Sequence, residues 1–131
     1  MENEPTISME EVIRRDGRYP VEAFAFLHEG LNKAVRDVFG EQPAPEGQRH
    51  VSGRQLCEAL RDLAVERWGM LARTVLTRWN IHWTIDFGNM VYLLIEHSYM
   101  RKTDEDSLED FRDVYDFDKA FREYNTFELK E

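Results

Sequence analysis

The chain has 131 residues, 42% hydrophobic and 12% aromatic, and a formal charge of −9 from 26 acidic against 17 basic residues. That size and apolar content predict one folded domain, 1–131, with a core that needs no disulfide staples, and they exclude a disordered adaptor. The acids are concentrated in residues 103–131, where eleven acids face four bases, leaving only −2 to residues 1–102; such a field repels phosphate backbones and anionic membranes and favours a protein partner with a basic face.

The single cysteine, Cys57, has no internal partner, as a reducing cytoplasm permits. The start MENEPTISMEEV lacks a basic stretch followed by an apolar one, and no run of about 18 apolar residues occurs, so the expectation is a cytoplasmic protein with no membrane span.

Residues 1–8 are polar enough to be flexible, and the core region should run from 19 to 121. Ser8 and Glu11 have capping-box spacing, which predicts a short helix from Met9 that presents Met9, Val12 and Ile13 and stops near Gly17. Pro20 suits the first turn of a second helix. There Phe24, Leu27, Leu31, Val35 and Val38 recur at spacings of three and four, and Gly40 closes it. Gly30 costs that helix about 1 kcal/mol relative to alanine unless another element packs closely against it, and close packing is the expectation.

EQPAPEGQRH, 41–50, reads as a surface loop. Ser52 and Gln55 repeat the capping box and open a third helix that buries Leu56, Ala59, Leu60, Leu63 and Ala64 and ends or bends at Trp68 and Gly69. The densest apolar stretch follows, Trp68 to Met100, with all three tryptophans. It predicts a helix Met70 to Trp79 burying Leu71, Val75, Leu76 and Trp79, a turn at Asn80 to Thr84, and a central helix from Ile85 to about His97. That last helix should be capped by Thr84, with Asp86 beside its N-terminus.

Beyond it, Tyr99–Thr103 and Val114–Phe117 could pair as a small hairpin or lie extended, with DEDS as a turn, LEDF as a helical turn, and a last short helix near Phe117–Tyr124. The fold class is therefore mainly α: four to five helices with a small C-terminal hairpin or extended segment. Helix, turn, helix and hairpin in that order also suggest a winged helix.

Motifs for chemistry are sparse. The helix IDFGNMVYLLIEHS carries no lysine or arginine and the wing would be the most acidic part of the chain, so DNA readout is disfavoured. No two histidines stand at ligand spacing, and DEDSLEDFRDVYD begins with alternate acids at Asp104 and Asp106 but puts Leu108 and Glu109 where a calcium loop needs a ligand and a glycine. No phosphate-cradling glycine run and no G-x-S-x-G elbow occur. Cys57 reads as a small buried hydrophobe, and Ser52 has a structural task as a cap. The sequence thus nominates no catalytic, metal or cofactor-binding residue and no cofactor. An enzyme would have to show a pocket in which His50 or His97 meets a buried carboxylate.

Aromatic residues remain. Trp68, Trp79, Trp83, Tyr92 and Tyr99 are of the types that anchor interfaces. Helical phase assigns Trp79 to the core, and the aromatic and aliphatic side chains of 68–100 should hold helices together rather than line a cavity. Trp83, in the turn beside His82, is the one expected to be exposed for binding.

The strings YPVEAFAFLHEGL (19–31), HVSGRQLCEALRDLA (50–64) and TIDFGNMVYLLIEHSYMRKTDEDSLEDFRDVYDF (84–117) resemble a small family of conserved hypothetical bacterial proteins recorded from planctomycetes and verrucomicrobia. The resemblance covers about residues 19 to 121 and implies a bacterial, cytoplasmic origin. It carries over no function and no site residue, and Asn80 stands where the family has glycine.

The reading is a non-catalytic protein-interaction or regulatory module. Its partner-binding residues are expected to be His82, Trp83, Asp104, Asp106, Asp110 and Asp113. A winged-helix nucleic-acid binder using Arg73, Arg78, Arg101 and Lys102 is the rival, an enzyme with an unrecognised site comes third, and a homo-oligomer stays open.

Overall fold

Both capping sequences start helices where expected in a computed structural model that describes residues 7–40 and 50–122. Ser8 accepts the Glu11 N–H and opens α1, Met9–Asp16, which ends on Gly17 at φ +79°. Glu11 does not return the bond, because its carboxylate is taken by Arg14 and Arg15. Val12 and Ile13 are buried, while Met9 stays largely exposed. Pro20 stands one position before the first residue of α2, Val21–Phe39. Ser52 and Gln55 form the full reciprocal box at the start of α3, Gly53–Trp68.

α2 and α3 make the most extensive helix pair, and they run antiparallel, since Phe26 packs against Trp68 with the rings tilted, Gly30 meets Leu60, and Val35 shares a hollow with Ser52. The residues of α2 buried deepest include a small-residue line, Ala23, Gly30 and Ala34, which lets the two backbones approach. A methyl group at Gly30 would collide with Leu60 Cδ2 and fall 2.8 Å from Cγ, so the close packing expected there is met. The cost is that the predicted stripe rotates: Phe24 and Leu27 are buried, Leu31 and Val35 only partly, and Val38 is exposed.

α3 ends at Gly69, whose φ of +54° few other residues adopt. A 3-10 turn, Gly69–Leu71, intervenes before α4, Ala72–Arg78. The break shifts the helical phase, so Ala72 and Leu76 are buried and Leu71, predicted to be core, is 58% exposed. Trp79 packs against the core with Phe26 and Trp68, the three ring centres lying 5.1 to 5.8 Å apart.

α5, Thr84–Glu96, is apolar nearly all round and sits centrally, burying Phe87, Met90, Val91, Leu93 and Leu94. Thr84 is not its cap. It is the first helical residue, 1% exposed, and its hydroxyl donates to the Phe111 carbonyl at 2.6 Å and accepts the Val114 N–H at 3.1 Å. A chain 27 to 30 residues downstream is thereby fastened to the start of α5. Gly88 completes the seat: a Cβ there would fall 2.8 Å from Phe111 Cβ and Cγ.

No strand occurs among the described residues, so the predicted hairpin does not form and the order of elements lacks a wing. The reason lies in the side chains. Asp106 accepts the Thr103 N–H, Asp110 the Ser107 N–H and Thr84 the Val114 N–H, meeting locally the donors that a ladder would have used. LEDF is a 3-10 turn, Leu108–Phe111, and α6, Phe117–Ala120, tucks Phe117 and Phe121 into the core beside Tyr115.

The fold is thus mainly α, with five helices of seven residues or more and a short sixth among the described residues. Ile7, expected to be flexible, is held by the Tyr99 hydroxyl on its carbonyl at 2.6 Å. The fraying expected of the first residues, the surface loop expected over 41–49 and the part of the expected last helix beyond residue 122 lie outside the described residues. No described helix is long and apolar enough to cross a membrane.

Candidate functional site

Two places combine exposed or open surface with defined polar geometry. The first is the turn between α4 and α5. Asn80 has φ +66°, a left-handed conformation that asparagine tolerates better than most residues. Its Nδ2 donates to the Arg18 carbonyl and its Oδ1 meets His82 Nε2 at 3.1 Å. Ile81 is fully buried. The Asp86 carboxylate then accepts the His82 N–H at 2.8 Å, the Trp83 N–H at 3.1 Å and the Tyr19 hydroxyl at 2.6 Å. Burial, with the Asp86 carboxylate beside it, pushes the Tyr19 phenol up to about 12, so it stays a donor at neutral pH. The backbone is therefore clamped from both sides. Trp83 nevertheless projects, 62% exposed, while Trp68 and Trp79 are packed against the core.

The acids expected to share that surface divide. Asp113 is exposed and lies in the segment that Thr84 fastens beside Trp83. Asp104 is exposed on a turn farther along the same segment. Asp106 and Asp110 are occupied with the backbone N–H groups of Thr103 and Ser107 and line a hollow instead.

That hollow is the second place, a cavity of about 360 Å³ between α2, the N-terminus of α3, α5 and the segment 100–111. Leu31, Val35, Leu56, Val91, Ile95 and Met100 make apolar walls, and the charges of His50, Arg101, Lys102, Asp106 and Asp110 stand around them. The expectation that residues 68–100 only hold helices together is corrected here, since Val91, Tyr92, Ile95 and Met100 line a charge-containing space. His50 Nε2 lies 2.8 Å from Asp106 Oδ1, an exposed histidine and a partly buried carboxylate 56 residues apart in sequence. Burial raises the Asp106 carboxyl, but the Thr103 N–H and His50 outweigh it and hold the group below its ordinary value. Tyr92 also lines this hollow, and its hydroxyl is buried with no hydrogen-bond partner among the described residues.

His97, the other histidine considered, places Nδ1 on the Leu93 carbonyl at the end of α5. Comparison with family models, curated proteins and solved structures finds no match.

Chemically, the His50 and Asp106 pair orients an imidazole but has no activated nucleophile among its sequence neighbours. Ser52 is spent as a cap, and burial pushes the Cys57 thiol up to about 12, with Glu58 adding to it. No group of three or more His, Cys, Asp or Glu suited to a metal ion occurs among the described residues. Of the basic edge considered for nucleic acid, Arg73 pairs with Asp118, and Arg101 and Lys102 line the hollow. Periodicity could not reveal the hollow, because the chain segments that line it are far apart in sequence and meet only in the fold, as His50 and Asp106 do and as Gly53 does with Phe111.

Proposed function

We propose that this chain is a non-catalytic protein-interaction or regulatory module whose anchor is Trp83. The observation that carries it is a large aromatic left 62% exposed on a turn whose backbone is held by Asp86 and Asn80. Binding-energy anchors are enriched in tryptophan, and a preset anchor loses little conformational freedom when it docks. His82 neighbours it in the chain, and Asp113 and Asp104 are exposed acids of the segment 103–113, so the partner fitting this reading offers an apolar socket and basic groups.

Trp83→Ala with His82→Ala, in protein that keeps its wild-type melting curve, tests this in a pull-down. Loss of a specific companion supports the reading, and unchanged recovery contradicts it. A nucleic-acid binder would instead show salt-dependent retention on duplex DNA or RNA.

A further inference from the structure

The hollow between α2, α3 and α5 is independent of the Trp83 surface, and its wall chemistry is specific. Arg101 and Lys102 line it, neither of them in an ion pair with a described carboxylate. Asp110 lines it too; its Oδ2 accepts the Ser107 N–H, and it likewise has no cationic partner among the described residues. All three are exposed at the surface, the rest of the lining is largely apolar, and the volume of about 360 Å³ falls at the low end of the range for small-molecule sites, roughly 300–1,000 Å³.

Opposite charges that line one cavity without neutralising each other are complementary to a ligand that carries both charges itself. A fatty acid would leave Asp110 facing an anion, and an apolar amine would face Arg101 and Lys102. A free amino acid with an apolar side chain satisfies both, its carboxylate toward Lys102 and Arg101, its ammonium toward Asp110, and its side chain against Leu31, Val35, Val91 and Ile95. Two further features belong to such a site. The hydroxyl of Tyr92, a residue that lines the hollow and feels Asp106 and Asp110, is a buried donor with no hydrogen-bond partner among the described residues, a feature that native interiors rarely keep without a use. The His50 and Asp106 bond ties the approach to α3 to the turn at 103–107 and so fixes the mouth of the hollow.

We infer that this hollow is a binding site for a free apolar α-amino acid in its zwitterionic form. The inference does not rest on the interaction reading, because none of the hollow's residues belongs to the turn at Asn80 to Thr84.

The test is a titration of the full ¹⁵N-labelled chain with L-leucine, L-methionine and L-phenylalanine, following the amides of Gly53, Val91 and Phe111. Leucinamide, N-acetyl-leucine, octanoate and octylamine serve as ligands with one charge removed; the first two also stand for the N- and C-terminus of a peptide. The free amino acids are expected to saturate those shifts, with each single-charge ligand at least tenfold weaker. Lys102→Met and Asp110→Asn, which keeps the oxygen that accepts the Ser107 N–H, should each weaken binding at least tenfold, while W83A binds as wild type does. No saturable shift with any amino acid, or single-charge ligands that bind as tightly, overturns the inference. If a variant unfolds, the ligand series on the wild-type chain still decides.

Discussion

Thr84 is the residue on which the C-terminal segment depends. Its hydroxyl satisfies both a buried carbonyl and an N–H from residues 111–114, so Thr84→Val leaves two polar groups unpaired in a site that is 1% exposed. Each such loss costs about 1–3 kcal/mol. T84V should therefore lower the urea midpoint well beyond the effect of Thr84→Ser, which keeps the oxygen; equal midpoints would show that the clasp is dispensable. Cys57 gives a second check at this scale. With the thiol fully buried and held protonated, a thiol reagent should label it in the native chain only as fast as the protein unfolds, and in urea at the rate of a free cysteine. Its buried, unreactive character was legible from its place between Leu56 and Ala59. The role of Thr84 was not, because a threonine before an apolar run reads as a cap, and only the fold brings Phe111 to it.

Among the elements, the helices follow from local signals. Ser8, Ser52 and Gln55, Gly17 and Gly69 mark starts, stops and bends that need no knowledge of distant residues. Which face a helix buries was less legible. In α2 the aliphatic stripe drew the reading toward Leu31 and Val38, whereas the closest contact is made by alanines and a glycine that carry little hydrophobic signal but permit approach. Gly30→Ala tests this directly. Helix propensity alone predicts a gain of about 1 kcal/mol. The collision with Leu60 predicts instead a net loss, since overpacking typically costs about 1–3 kcal/mol. Chemical denaturation of G30A should show that loss, and the penalty should shrink in an L60A background because the two residues touch. The missing hairpin is the same lesson on the C-terminal side: alternation suggested strands, but Asp106, Asp110 and Thr84 supply the backbone with partners before a ladder can.

At the level of the whole molecule, two surfaces join segments far apart in sequence, and each has its own observable. Asp106 binds the 103–107 turn and His50, and its carboxyl is held below the ordinary value. A depressed folded value contributes stability above the unfolded one, about 3.9, and loses it as pH falls through the folded value. Asp106→Asn should accordingly flatten the decline in urea midpoint below about pH 4 relative to wild type. An identical acid limb in both proteins would mean that other carboxylates govern it. The exposed tryptophan was legible because the turn had no helical phase to bury it; the clamp beneath it was only half legible, since Asp86 is a near neighbour but Tyr19 and Arg18 reach the turn from a distant segment.

Whether Trp83 is exposed for a partner rather than for stability is decided by one paired measurement. Wild type and W83A are melted in parallel and used as matched baits, with bound proteins quantified for each. The melting curves are expected to coincide, as surface substitutions usually stay within about 0.5 kcal/mol, and a companion present on wild type should be lost from W83A. A lowered melting curve, or identical recovery of every companion, would contradict exposure for a partner.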